Sequence, residues 1–327
     1  MQNNSDKKFS LASIPANSKI MALAVALMCA DICYMLSSTW STRLDYSFGY
    51  LTPIFVLYII YDRFGRAKDI LTSKPAANNR LLNVFCDFFF GSMLVCGTAV
   101  FAFFLYVFYR TLNWGTPSFA ATFGFSFAAF ASTYFIGDTN SDGERLDVYS
   151  RLKFTLLFVF PCFIWLVSAP IFSAVEKHIS LMLLSKVASV VVTAMDWLGF
   201  VVELRGNTIS FPGGTVGVAD ACSGIRSLTA CLFAGSFLAA ALLDKLWKKV
   251  LLVGMSMVFA FAFNLVRALF LTLWAYEYGS QSISGFVHDA AGYFVLGMTV
   301  VALLILTSIF NINPVPEEFR QGKGQPK

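Results

Sequence analysis

Charge is scarce in this chain. Only 13% of its 327 residues are Asp, Glu, Lys or Arg, against 57% hydrophobic residues, and the mean hydropathy of +0.68 lies outside the range of soluble domains. Period-two alternation is missing from the apolar runs, which excludes a transmembrane β-barrel. In hydrocarbon that leaves the α-helix, which satisfies its own backbone. The seven cysteines, at positions 29, 33, 86, 96, 162, 222 and 231, show neither metal-ligand spacing nor a disulfide pattern. With only two histidines besides, no metal or other cofactor is expected. No internal repeat is visible, and no convincing cleavage site follows the first apolar run, so that run is expected to remain as a helix. The net charge of +5 fits basic loops against anionic headgroups, so membrane lipids and not nucleic acid are the expected surroundings.

What is present is a series of apolar runs long enough to cross a bilayer, at about 18–38, 48–62, 82–109, 117–137, 153–173, 222–243, 249–274 and 285–310. The fold class expected is an all-α polytopic membrane protein with about eight transmembrane helices. Residues 1–17 and 311–327 form cytoplasmic tails around a single membrane domain, 18–310, whose core region is 150–300. A further run, 179–200, is interrupted by Lys186 and Asp196 and reads as an interfacial or re-entrant helix. Between 207 and 219, the turn-forming "FPGG" flanked by β-like residues predicts a small extracytoplasmic hairpin capping the site.

Orientation follows from counting Lys and Arg. With the N-terminus inside, the cytoplasmic segments carry Lys7, Lys8, Lys19, Arg63, Arg66, Lys68, Lys74, Arg80, Arg145, Arg151, Lys153, Lys245, Lys248, Lys249, Arg320, Lys323 and Lys327, which is 17 of the 24 basic residues. Arg43, Arg110, Lys177, Lys186 and Arg205 fall outside. A span at 179–200 would move the basic "DKLWKK" to the outer side, so eight spans with both termini in the cytoplasm are expected.

Three polar residues then fall at one membrane face. Cys222, in "ADACSGIRSL", opens an apolar run at its outer end, where free backbone amides and the helix dipole favour a thiolate. Arg267, in "FAFNLVRALFL", lies 18 residues beyond Lys249 and so roughly 27 Å up its helix at about 1.5 Å per residue. His288, in "SISGFVHDAAGYF", starts the last run on the same side. A cysteine nucleophile, a histidine for proton transfer and an arginine for oxyanion or thiolate stabilisation make up the parts of thiol-based acyl transfer. Asn264 shares a face with Arg267. With Ser223 and Arg226, one turn beyond Cys222, it stands as a supporting candidate. Asp196, Glu203 and Asp220 are available to orient the arginines or cap helices.

The order and spacing of "ACSGIRSL", "NLVR" and a late histidine resemble the exosortase/archaeosortase family of multi-pass membrane cysteine transpeptidases. So do "DYSFGYLTPIFVLYIIYDR" at 45–63, "GNTISFPGGTVGVADACSG" and the "FPCFIWLVSAP" helix. The resemblance implies that Cys222, Arg267 and His288 occupy catalytic positions on the extracytoplasmic side of the cell inner membrane. It implies as partners secreted proteins that end in a short motif, a transmembrane helix and a basic cluster, of which PEP-CTERM is the best known, and an amine-bearing acceptor. Phe48 stands where the family's early motif usually has histidine, which bears on subfamily or substrate choice, and a histidine at 288 favours a bacterial exosortase. Two other classes remain open: an intramembrane cysteine protease that passes the acyl group to water, and a transporter, which would also carry polar residues near the midplane.

Overall fold

The computed structural model describes residues 15–76, 79–111, 115–217 and 224–311, with the backbone alone at 224–226. The protein is helical apart from one small sheet, as its composition requires. The chain divides into two compact units, Met1–Glu176 and Lys177–Lys327.

The first unit is built around its most buried long helix. α1 (Ala16–Thr42), a 3-10 turn (Leu44–Leu51), α2 (Thr52–Leu71), α3 (Arg80–Thr111) and α4 (Thr116–Ile136) follow one another. α4 is 61% buried in its central window, against 17% for α1 and α3. Its small residues explain why: Ala121, Gly124, Ala128 and Ser132 let neighbouring backbones approach closely, which is how helices associate in lipid, where apolar burial alone gives no drive. A Cβ added at Gly97 of α3 would come within 2.7 Å of the Ala128 backbone N, and one at Gly124 within 2.5 Å of the Phe101 backbone N. α3 and α4 therefore touch backbone to backbone.

The run expected at 153–173 is a broken span. α5 (Val148–Leu157), α6 (Val159–Phe163) and α7 (Trp165–Ser168) bend by 56° at Phe158. Pro161 is the cause, since it has no N–H for the carbonyl four residues earlier and its ring crowds that carbonyl. The carbonyl is that of Leu157, and it accepts instead from Arg63 Nη1 of α2. The bent segment still runs the full length of the unit. Ser18 Oγ donates to the Ile136 carbonyl (3.2 Å) and Ser141 N to the Leu71 carbonyl (2.9 Å) at one end, near where α5 begins. Trp40 Nε1 donates to the Ser168 carbonyl (2.9 Å) at the other. At the first end Arg151, fully buried, pairs with Asp87 (3.0 Å) and Asp138 (2.9 Å) and lies over the Tyr134 ring. Arg145 bridges the same two carboxylates at 2.7 and 2.9 Å, so two cations meet two anions.

The second unit begins within α8 (Ser173–Trp197), a continuous helix that is itself long and apolar enough to cross a membrane. The segment read as interfacial or re-entrant at 179–200 lies within this helix, since Lys186 and Asp196 interrupt hydropathy but not helix geometry. The sheet follows, with β1 (Glu203–Arg205), β2 (Thr208–Phe211) and β3 (Gly214–Gly217) antiparallel in that order. Two-residue turns join the strands, and the pairs Arg205↔Thr208 and Phe211↔Gly214 close them. The hairpin expected from "FPGG" is β2–β3. β1 adds a strand that the "GN" turn at 206–207 signals. Ile209, Phe211 and Val216 point into a core shared with Val187, Ala188, Val191 and Met195 of α8.

Three helices complete this unit: α9 (Gly224–Leu242), α10 (Leu246–Tyr278) and α11 (Phe286–Asn311). Among the described residues seven helices are long and apolar enough to span a membrane, or eight with the bent span. The expected run at 222–243 is the exception, since its described apolar part, Ser227–Leu242, is shorter.

Candidate active site

The second unit brings two of the three expected residues into contact. Arg267 lies on α10 in a stretch whose buried positions run Ser256, Ala260, Asn264, Arg267, Ala268, Leu271, the three-and-four spacing of one helix face. His288 lies in the first turn of α11, after the tight connection 279–285 reverses the chain. That reversal places Arg267 Nη2 2.9 Å from His288 Nε2 and 3.3 Å from the His288 carbonyl oxygen. Arg267 is 7% exposed and Asn264 4%. A guanidinium so enclosed must be met by acceptors, and here one residue supplies two.

Asn264 is one turn below Arg267, and its Oδ1 accepts from Ser227 Oγ of α9 at 3.5 Å. Ser227 was not singled out from sequence. Its signal was its place in the first turns of α9, five residues after Cys222. Gly292, one turn beyond His288, was missed as well. A Cβ there would meet Arg267 Nη2 at 3.4 Å and Cζ at 3.5 Å, so the guanidinium lies across a bare patch of α11. Cys222 and Ser223 lie outside the described residues, as does Asp220. Arg226 is placed by its backbone in the first turn of α9. The sheet core includes Ala268 and takes in Val287 and Ala291, so the sheet packs beside the Arg267–His288 pair. No cluster of His, Cys, Asp or Glu fit to hold a metal occurs among the described residues.

A family profile described as Transmembrane exosortase matches residues 40–305. The chain belongs to the transmembrane exosortase family. No curated protein and no solved structure matches it. Exosortases are sorting transpeptidases of membranes that act on secreted proteins carrying sorting signals, and this chain has the multi-pass architecture such a function requires.

The matched region takes in the early "DYSFGYLTP" motif, which in this exosortase builds a structural knot in the first unit. Tyr46 is fully buried, and its hydroxyl accepts from Ile171 N at 3.3 Å. Gly49 is pressed against the Trp40 indole, where a Cβ would sit 2.1 Å from Nε1. Arg43 pairs with Glu176 and lies over the Tyr46 ring. These contacts fasten the segment that leads into α8. Phe48 lies beside Tyr46, the rings tilted by 36° with centroids 6.4 Å apart.

Proposed function

We propose that this exosortase cleaves the C-terminal sorting signal of secreted proteins through a thioester at Cys222 and passes the shortened protein to an amine acceptor. The contact that carries the reading is Arg267 Nη2 to His288 Nε2, two polar groups from different helices meeting in an apolar bundle within the matched span. Cys222 Sγ attacks the peptide carbonyl, and its proton passes to His288. Arg267 stabilises the charge that develops on the carbonyl oxygen. The C–N bond then breaks as His288 returns the proton to the departing amine, leaving the acyl group on sulfur. An incoming amine attacks the thioester, gives up a proton to His288, and the thiol is re-formed.

The substrate class is the one that membership of the exosortase family implies. A secreted protein with a short motif of the PEP-CTERM kind, a transmembrane helix and a basic cytoplasmic cluster is held laterally in the bilayer, which presents the peptide just outside it to Cys222. This requires the site on the extracytoplasmic face of the inner membrane with both termini cytoplasmic, the arrangement that the distribution of basic residues favours.

The test is processing of a tagged substrate of this class, with the new C-terminus read by mass spectrometry. Cys222→Ala and Cys222→Ser are expected to lower processing by at least roughly 100-fold, as loss of a nucleophile does. Full processing by either variant sinks the proposal. A product ending in a free carboxylate assigns hydrolysis, as in an intramembrane protease, whereas an attached amine assigns transfer.

A further inference from the structure

We infer that Arg267, seated on Gly292, is a positioning residue for His288 as well as a charge stabiliser: it holds the imidazole neutral, with its proton on Nδ1. Guanidinium nitrogens only donate, and the group stays protonated at all working pH values. At 2.9 Å from Nη2, His288 Nε2 must therefore offer a lone pair. An imidazolium, or the tautomer protonated at Nε2, would set two N–H groups against each other. Of the three states open to a histidine, only the Nδ1–H form fits.

The guanidinium is held in this pose from two sides. Its Nη2 also donates to the His288 carbonyl oxygen at 3.3 Å, which ties it to the backbone of the residue it orients. One turn on, the missing side chain of Gly292 lets Cζ lie 3.5 Å from where a Cβ would be. Alanine at 292 just fits in van der Waals contact, but the branched methyls of valine reach the guanidinium itself. Gly292 is thus part of the device without touching the imidazole.

The catalytic meaning of this arrangement rests on the function proposed above. In the resting enzyme Nε2 is engaged by Arg267. When the substrate carbonyl oxygen gains negative charge, it competes for the same guanidinium. Transfer of that donor to the oxyanion frees Nε2 to take the thiol proton as the S–C bond forms, and the imidazolium then protonates the leaving amine as the C–N bond breaks. Formation of the oxyanion and readiness of the base become one event.

The chain has two histidines, so nitrogen NMR of the [15N]histidine-labelled full-length protein in lipid bilayers reads His288 directly, with His178→Gln assigning the signals. The wild type is expected to show His288 as the single Nδ1–H tautomer at pH 7. Arg267→Met and Gly292→Val are expected to lose that signature in favour of the Nε2–H form common to unconstrained histidines, while Gly292→Ala keeps it. Gly292→Val is further expected to slow processing by roughly 10- to 100-fold, the cost of displacing a catalytic group by about an ångström. An Nε2–H tautomer or an imidazolium in the wild type overturns the inference, as does a Gly292→Val spectrum identical to wild type. Because the tautomer is read without turnover, its failure is distinct from failure of the Cys222 test.

Discussion

A guanidinium among apolar helices costs about 2.5–3.5 kcal/mol on membrane-insertion scales unless it finds partners, so each arginine in the bundle needs a reason. Arg63 has one in the carbonyl released by Pro161, and Arg151 in Asp87 and Asp138. Both are structural. Arg267 is different, because it meets the ring and the carbonyl of a single histidine, a side chain suited to proton transfer. Arg226 is the arginine that the sequence places closer to Cys222. Arg267→Ala is expected to reduce processing at least roughly 100-fold and Arg226→Ala by less than about tenfold, magnitudes typical of a charge-stabilising donor and of a helper. Rates on the tagged substrate decide this, and the reverse ranking removes Arg267 from its proposed role. Both arginines were legible in the sequence, with Arg267 ahead of Arg226, but the partner of Arg267 was not. The contact between residues 267 and 288 depends on how α10 and α11 are rotated about their axes, which no local pattern reports.

At the scale of elements, packing rests on small residues. Gly124 and Gly97 bring α3 and α4 into backbone contact, so Gly124→Ala places a methyl 2.5 Å from the Phe101 backbone N. Overpacking of this kind costs about 1–3 kcal/mol. Gly91→Ala, on the same α3, meets only the Phe135 ring edge at 3.9 Å and is expected to be neutral or to stabilise by about 0.5–1 kcal/mol through helix propensity. Denaturation midpoints in mild detergent compare the two, and equal shifts remove the close contact from its assigned role. Helix existence was readable here from apolar length alone. The break at Phe158 was less so, because whether Pro161 kinks or ends a helix depends on whether a donor such as Arg63 reaches the exposed carbonyl. β1 was missed for a related reason: Glu203, Leu204 and Arg205 are all exposed and show no buried face, and pairing with β2 is what makes them a strand.

For the whole molecule the decisive element is α8. Its 25 residues are sufficient to cross, yet a crossing would move Lys245, Lys248 and Lys249 away from the other basic segments, against the positive-inside bias. Reporter fusions are expected to read cytoplasmic after Lys74 and again after Lys249, and extracytoplasmic after Gly217. If the fusions after Lys74 and Lys249 report opposite sides, α8 spans the membrane, and the extracytoplasmic placement of the proposed site fails with it. The sequence by itself determined that the chain lives in a bilayer, roughly how many helices are long enough to cross it, and the family to which its motifs belong. These follow from composition, run length and spacing, which are local quantities. Only the tertiary structure decided that Arg267 faces His288 across the turn at 279–285, that Gly292 makes room for it, and that the early motif serves as a knot around Tyr46 and Trp40. Each depends on two segments meeting at a particular rotation and depth, and that geometry is set by close packing between elements.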